Sequence, residues 1–251
     1  MRHRWVMISL VFCAGFASAQ SAKPGGKDRL IAQNSSHQVS LVELYSSEGC
    51  SSCPPADTWI SKLRNKEGLW TAFIPVVFHV DYWNYLGWKD SFSEHQMTER
   101  QIAISKQWPK PSVYTPAIVV NGQEWRDWSR SEIPSSTVEA PVRLKIFEVA
   151  PLRFRVELDG GKGPQVGKKS TIHIAILGNG LKSSVTAGEN QGQTLEHNFV
   201  VLDWSSKEVT TQSSIEFQTK IPSQKHEQLA VVAWIENVGN PTPVQAVGGY
   251  L

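Results

Sequence analysis

Two cysteines separated by two residues, Cys50 and Cys53, are the side chains of this sequence best suited to covalent chemistry. They follow an apolar run and precede apolar residues at helical spacing, which predicts a position where a strand ends and a helix begins. Unpaired N–H groups and the helix dipole favour a thiolate there, and can lower a cysteine pKa from about 8.5 to roughly 3.5–7.5. We predict that Cys50, at the exposed start of the turn, is the nucleophile and that Cys53 resolves the mixed disulfide.

This cysteine pair has three interpretations. A redox-active dithiol is favoured by its place in the chain, whereas a structural disulfide is the ordinary use of cysteine in an exported protein. A bridge across two residues closes a very small loop, however, and stabilises little in the chain-entropy picture. A metal site would need further ligands, for which His79 and His95 are candidates, but the sequence has no second Cys-x-x-Cys. No metal ligand set and no cofactor are predicted.

The N-terminus predicts export. A basic start at residues 2–4 precedes an apolar run over residues 5–16, and small residues at 17–19 suit a signal peptidase. We therefore predict a signal peptide over residues 1–19, a periplasmic or secreted protein, and no membrane span after cleavage, since the run is too short for a transmembrane helix. Cys13 leaves with the signal, so Cys50 and Cys53 become the only cysteines.

The composition is that of a globular protein without a dominant charge. The chain has 251 residues, 40% of them hydrophobic and 19% charged, which excludes a disordered chain and a coiled coil. Its 25 basic residues include Arg2 and Arg4, so cleavage after residue 19 leaves 23 basic and 23 acidic groups. A neutral chain gives no electrostatic basis for binding nucleic acid or an anionic membrane, and neither partner is predicted.

The hydrophobic pattern divides the mature chain into two domains. Residues 20–37 have the composition of a flexible tether, and residues 132–141 that of a Pro/Ser linker. Between them, residues 38–131 follow the order strand, helix, strand, helix, strand, turn, which predicts an α/β domain with a mixed sheet between helices. Residues 142–251 contain about six short alternating strands, which predict an all-β, sandwich-like domain.

The stretch from Glu43 to Asp57, which contains both cysteines, resembles the signature of an exported thioredoxin-like family known as domain of unknown function 1223. The likeness continues through residues 79–83, 86–88, 114–116 and 119–122. It returns at residues 188–192 and at Leu195 and His197, and so covers nearly the whole mature chain. The resemblance implies a thioredoxin-like fold followed by a β-rich domain, and a contact between residues 188–192 and the first domain. It implies no particular substrate.

The wider resemblance to thioredoxins suggests roles for three more residues. Thr115 and Pro116 match the residue and cis-proline that face the dithiol in that fold, where the backbone of Thr115 would pair with an extended substrate. Glu43 lies close to where thioredoxins place a buried acid. A partly buried carboxylate there could act as general base for Cys53, whereas a solvated or salt-bridged glutamate would have no such role.

A loop rich in aromatic residues, at 81–89, supplies the predicted substrate-binding residues Asp81, Trp83 and Trp88. Loops at the carboxyl ends of strands are where α/β folds build their sites. The two indoles could form an apolar platform beside the dithiol for a peptide or another ligand. His79, within the preceding apolar strand, is interpreted as a core histidine.

The sequence thus predicts an exported thiol–disulfide oxidoreductase that acts on protein or small-molecule thiols and disulfides, together with an unidentified redox partner. Two alternatives come from other classes of function. One is a non-catalytic envelope binding or assembly module in which Cys50 and Cys53 form a structural disulfide. The other is a metal-delivery protein.

Overall fold

The computed structural model describes residues 28–251 except 35, 135, 141, 160–168, 211–213 and 221–222. The predicted signal peptide, residues 1–19, lies outside the described residues, as does the predicted tether up to residue 27. Over the described ranges, no helix has the length and apolar character needed to cross a membrane.

Strands dominate the described part of the chain, which contains two α-helices. The helices are α1 (Pro54–Lys62) and α2 (His95–Ser105), with short 3-10 turns at Leu63–Asn65 and Asn84–Leu86. The strands are β1 (Arg29–Gln33), β2 (Ser40–Ser46), β3 (Phe73–His79), β4 (Ala117–Val120), β5 (Gln123–Glu124), β6 (Arg143–Ala150), β7 (Arg153–Asp159), β8 (Ser170–Asn179), β9 (Leu181–Ser184), β10 (Thr194–His197), β11 (Val200–Val209), β12 (Ser214–Gln218), β13 (Gln228–Asn237) and β14 (Asn240–Tyr250).

One eight-stranded sheet runs through the molecule in the order β14-β13-β8-β11-β3-β2-β4-β5. Strands β2 and β3 are parallel, with Ser46 opposite His79, and β4 pairs antiparallel with β2. The two halves of the sheet meet in its middle, where β11 runs parallel to β3, with Val200 opposite Val77. Strands from residues 38–131 and from residues 142–251 therefore share one sheet.

A second sheet, of order β1-β6-β7-β12, covers one face of the long sheet. Its inward residues, such as Leu144, Ile146 and Phe154, form a buried core with Ile174 and Val231 from the long sheet. The two packed sheets combine strands from both parts of the chain, so they are not the sandwich-like domain of residues 142–251 that the sequence predicts. Strand β1 also belongs to the second sheet, pairing with β6, although its residues fall within the stretch predicted to be a tether.

Helix α2 lies over the opposite face of the long sheet, where a buried arginine joins a strand from each half of the sheet. Arg100 of α2 pairs with Glu43 of β2 at 2.7 Å and with Glu236 of β13 at 2.8 Å. Its guanidinium carbon also lies 5.0 Å from the ring centroid of Trp234. A buried cation needs such compensation, because burying a charge without partners costs several kcal/mol.

The predicted fold class, an α/β thioredoxin-like domain followed by a separate sandwich-like domain, is wrong. The part of the chain that the structure describes is mostly β, with 47% of its residues in strands and 13% in helices. The sheet predicted for residues 38–131 does not end at β3. Strand β11 pairs with β3 and satisfies backbone groups that an edge strand would leave unpaired. The N–H of Val77, for example, donates to the carbonyl of Phe199 at 2.9 Å. Beyond β3 the sheet continues through β11, β8, β13 and β14 instead of ending beside a layer of helices.

Candidate functional site

The two cysteines lie in the turn that joins β2 to α1. Strand β2 ends at Ser46, Cys53 is the N-cap residue of α1, and Pro54 and Pro55 occupy the first helical positions. Proline is tolerated there because the first turn has N–H groups without helical partners. Both cysteines are free thiols, with Cys50 1% exposed and Cys53 fully buried. The strand–helix junction is as predicted, but the expectation that Cys50 is exposed is wrong.

The surroundings give the two thiols opposite acidities. A hydrogen bond from Cys53 lowers the pKa of Cys50 to about 6, with help from the Ser52 hydroxyl and against the effect of burial. Burial raises the pKa of Cys53 far above its usual range, and the negative charges of Cys50 and Asp57 raise it further. One cysteine is therefore poised as a thiolate at neutral pH, while the other keeps its proton.

Thr115 and Pro116 face this turn, and the peptide bond between them is cis, in agreement with the expectation. The Sγ atom of Cys50 lies 3.8 Å from the carbonyl oxygen of Thr115. Trp83 reaches the same place, since its Nε1 donates to Oγ1 of Thr115 at 2.7 Å. A side chain at Gly49 would meet Cβ of Trp83 at 3.0 Å, so glycine permits the close approach of this loop to the cysteine turn.

The other two predicted substrate-binding residues have different surroundings. Trp88 Nε1 donates to Oε2 of Glu48 at 2.8 Å, which holds the half-buried indole beside the cysteine turn. Asp81 instead accepts hydrogen bonds from the Thr98 hydroxyl at 2.6 Å and from His95 at 3.0 Å. Asp81 thus ties the loop to α2. The structure brings both tryptophans, but not the carboxylate of Asp81, into contact with the turn or with Thr115.

Glu43, the predicted general base, is fully buried and paired. Its Oε2 accepts from Nε of Arg100 at 2.7 Å and from the Tyr45 hydroxyl at 2.8 Å, and its Oε1 accepts from Nη2 of Arg100 at 3.1 Å. Of the two sequence-based interpretations, the salt-bridged glutamate describes this arrangement, although in the interior of the sheet rather than on an edge. Asp57, on the first turns of α1, is the carboxylate whose charge acts on Cys53.

The loop between β9 and β10 covers the cysteine turn from the C-terminal part of the chain. Asn190 donates from Nδ2 to the carbonyl oxygens of Glu48 at 2.9 Å and Cys50 at 3.0 Å. Glu189 accepts from the backbone N–H of Ser51 at 2.9 Å and from its hydroxyl at 2.7 Å. The contact that the resemblance implies for residues 188–192 is therefore present, and it is made with the turn that carries the dithiol.

A buried group of titratable side chains lies behind the dithiol, and sequence reasoning missed it as a unit. Asp57 of α1, His79 of β3 and His197 of β10 bring a carboxylate oxygen and two ring nitrogens within 4.8 Å of one another. Register explains the meeting, because Ser46, opposite His79, donates to Asp57 Oδ2 at 3.0 Å. His79 is buried, as expected, but it belongs to this polar cluster.

Two further carboxylates hold the two histidines. Nδ1 of His79 lies 2.6 Å from Oδ2 of Asp90, and Nε2 of His197 lies 3.2 Å from Oε1 of Glu48. Against the effect of burial, the Asp90 carboxylate raises the pKa of His79 to about 9. Burial raises the pKa of Asp57, and the positive charges that the two histidines can carry oppose this. The sequence signal for this cluster was a histidine inside an otherwise apolar strand.

Comparison with known proteins gives a family and a fold. The chain matches the family model described as "Protein of unknown function (DUF1223)" over residues 41–236. No curated protein matches the chain significantly. Among solved structures, protein AGR_C_4864 from Agrobacterium tumefaciens is 24% identical with a TM-score of 0.56, covering 84% of this chain and 94% of its own. HBP35 of Porphyromonas gingivalis is 14% identical with a TM-score of 0.51, covering 87% and 76%.

Proposed function

The chain belongs to the DUF1223 family of proteins of unknown function, and we propose that it is an exported thiol–disulfide oxidoreductase in which Cys50 attacks and Cys53 resolves. The opposite acidities of the two thiols carry this proposal. Cys50, with a pKa of about 6, is largely a thiolate at neutral pH, whereas Cys53 stays protonated. Such a division suits a nucleophile and a resolving cysteine, because only the thiolate attacks a disulfide.

The reaction transfers two electrons in two exchange steps. The Cys50 thiolate attacks one sulfur of a substrate disulfide, the substrate S–S bond breaks, and the other substrate sulfur leaves as a thiolate. Cys53 then loses its proton and attacks Sγ of Cys50, which breaks the mixed disulfide and releases the second substrate sulfur. The substrate is reduced, and the protein ends with a Cys50–Cys53 disulfide. A separate thiol–disulfide partner restores the dithiol, and the reverse sequence oxidises a substrate dithiol.

The surroundings of Cys50 support a protein or peptide as the substrate. The Thr115 carbonyl, 3.8 Å from Sγ of Cys50, is a backbone acceptor next to the reacting atom. Trp83, bonded to Thr115, and Trp88, bonded to Glu48, supply a half-buried apolar platform on the same side. Aromatic surfaces of this kind contribute large contact areas to binding sites. A small-molecule disulfide would use the sulfur chemistry but little of the platform.

Deprotonation of Cys53 requires an acceptor. Both carboxylate oxygens of Glu43 already accept hydrogen bonds from Arg100. Asp57 lies one helical turn after Cys53, and burial raises the pKa of its carboxyl. A carboxylate with a raised pKa is a better proton acceptor than an ordinary one. We therefore assign the proton from Cys53 to Asp57 rather than to Glu43.

Trapping of the mixed disulfide tests the proposal. A Cys53→Ser variant should accumulate a covalent adduct with a disulfide peptide, because the second step is removed while Cys50 still attacks. A Cys50→Ser variant should form no adduct and should lose insulin-type disulfide exchange. The two variants are matched, since each removes one sulfur from the same turn, and mass spectrometry of non-reduced protein reads out both.

The same measurement separates the proposal from the two other functions. If wild type and both serine variants fail to form adducts and the wild-type cysteines stay bridged, the protein is a non-catalytic binding or assembly module with a structural disulfide. If the reduced wild type takes up a stoichiometric metal ion through its thiols and performs no exchange, metal delivery is the function. Either result overturns the oxidoreductase proposal.

A further inference from the structure

Three side chains of types that bind metals, Asp57, His79 and His197, face one another inside the protein. Each offers one ligand atom, and these atoms lie within 4.8 Å of one another. The ring nitrogens that do not contact Asp90 or Glu48 are Nε2 of His79 and Nδ1 of His197. Both ring nitrogens are buried and have no hydrogen-bond partner among the described residues. Buried polar atoms are nearly always satisfied, so two orphaned nitrogens at one point indicate a missing partner.

In each histidine ring, the nitrogen that contacts a carboxylate determines which nitrogen remains available to a metal. Asp90 already accepts from the backbone N–H groups of Glu48 and Phe92, both at 2.9 Å, so the 2.6 Å contact makes Nδ1 of His79 the donor. Glu48 holds Nε2 of His197 in the same way at 3.2 Å. A carboxylate behind the non-ligating nitrogen is the usual support of a histidine that binds a metal, because it sets the tautomer and raises ring basicity.

A cavity connects this cluster with the surface. It has a volume of about 310 Å³, lies between α1 and β10, and has Pro54, Asp57, Thr58, Leu195 and His197 among its lining residues. Two of the three facing side chains therefore border a space that a hydrated ion can enter. A metal site of this kind needs an access path for the ion and a free coordination position for water or an exogenous ligand, and the cavity supplies both.

We propose that Asp57, His79 and His197 bind one divalent transition-metal ion of the zinc type. Two imidazoles and one carboxylate are a ligand set typical of zinc, and it leaves one position open to the cavity. Ligand atoms about 2.1 Å from a tetrahedral ion lie about 3.4 Å apart, so the three atoms need to approach by up to about 1.4 Å. This inference goes beyond the proposed thiol chemistry and uses no cysteine sulfur, but it shares Asp57, which accepts the Cys53 proton in the metal-free protein.

Zinc binding by a thiol-free chain tests the site. In the full mature chain carrying Cys50→Ser and Cys53→Ser, one equivalent of Zn²⁺ should bind in calorimetry. Co²⁺ should give visible bands for a low-coordinate nitrogen and oxygen site, without sulfur charge transfer. Adding Asp57→Asn or His197→Gln should weaken binding at least tenfold, whereas His95→Gln, which changes an exposed histidine, should not. Two separate ligand variants guard against one that fails to fold.

Three results would overturn the site. The first is that zinc does not bind the thiol-free chain, which would mean that Asp57, His79 and His197 form a protonated hydrogen-bonding cluster and not a metal site. The second is that zinc binds both ligand variants as tightly as it binds the thiol-free chain. The third is that zinc binds only when the cysteines are present. In either case the ion lies elsewhere. None of these results bears on disulfide exchange by Cys50, which the adduct experiment measures in metal-free protein.

Discussion

The carboxylate of Glu189 accepts two hydrogen bonds from Ser51, one from its backbone N–H at 2.9 Å and one from its hydroxyl at 2.7 Å. Ser51 lies between the two cysteines, so a residue far along the chain closes the turn that carries the proposed chemistry. Asn190, next to Glu189, fixes the carbonyl oxygens of Glu48 and Cys50. This loop therefore packs against the backbone of the turn in which Cys50 is only 1% exposed.

Opening of that loop should control the access of reagents to Cys50. In Glu189→Ala, alkylation of Cys50 by iodoacetamide should be roughly two- to fivefold faster, because an exposed charged contact contributes modestly. Measurement at pH 8, well above the Cys50 pKa of about 6, keeps the thiolate fraction constant. Glu196→Ala, at another exposed glutamate of the same segment, is the control and should leave the rate unchanged. Equal rates in all three proteins would show that Glu189 does not restrict access.

The reactivity of Cys50 should depend on pH with a midpoint near 6. Below that pH the thiol is protonated and alkylation slows about tenfold per pH unit, whereas above it the rate is constant. Since a hydrogen bond from Cys53 is the largest cause, Cys53→Ala should move the midpoint up toward about 8.5. Cys53→Ser, which keeps a donor, should move it less. A wild-type midpoint near 8.5 would contradict the assigned acidity.

Trp83 should contribute to substrate binding through its position over Thr115. Trp83→Phe keeps an aromatic ring but loses the 2.7 Å hydrogen bond to the Thr115 hydroxyl. A neutral hydrogen bond contributes about 0.5–1.5 kcal/mol, so kcat/KM for a disulfide peptide should fall roughly two- to tenfold. Tyr85→Phe, at a side chain that is 79% exposed, should have no effect. An unchanged kcat/KM in Trp83→Phe would remove the indole from the platform.

Arg100 should stabilise the long sheet strongly. Arg100→Met leaves Glu43 and Glu236 as buried carboxylates without a cation, and removal of one partner from such a pair costs about 3–5 kcal/mol of unfolding free energy. Urea denaturation measures this loss. The triple variant Arg100→Met, Glu43→Gln and Glu236→Gln should regain much of the lost stability, because no uncompensated buried charge remains. A small effect of Arg100→Met alone would mean that water already reaches these carboxylates.

Local signals in the sequence were sufficient to place the dithiol at a strand–helix junction, because the apolar run before Cys50 and the helical spacing after it depend on neighbouring residues. Thr115 and Pro116 were assigned through the resemblance to thioredoxins, and the structure brings them to Cys50. The fold class failed because Val200 pairs with Val77, which lies more than a hundred residues earlier. Hydrophobic periodicity describes the faces of a strand but does not identify its neighbour.

The rest of the site was unpredictable for the same reason. Asp57, His79 and His197 come from three separate elements, and each taken alone is an ordinary polar residue in a loop, strand or helix. Strand β14, which lies at one end of the long sheet and contains two prolines and two glycines, also lacks the composition of a typical strand. Long-range pairing creates both the buried cluster and the cover over Cys50. The only local signal of the cluster was His79 in its apolar strand, and the contact of residues 188–192 was implied by the family resemblance.

The reduction potential of the Cys50–Cys53 couple tests the proposed oxidoreductase most directly. Equilibration with glutathione buffers, read by thiol alkylation and mass spectrometry, gives the potential of this single pair. Stabilisation of the Cys50 thiolate favours the reduced form, so we predict a potential well above about −300 mV, in the range of catalytic dithiols. A potential below about −300 mV would identify a structural disulfide and contradict the proposed function.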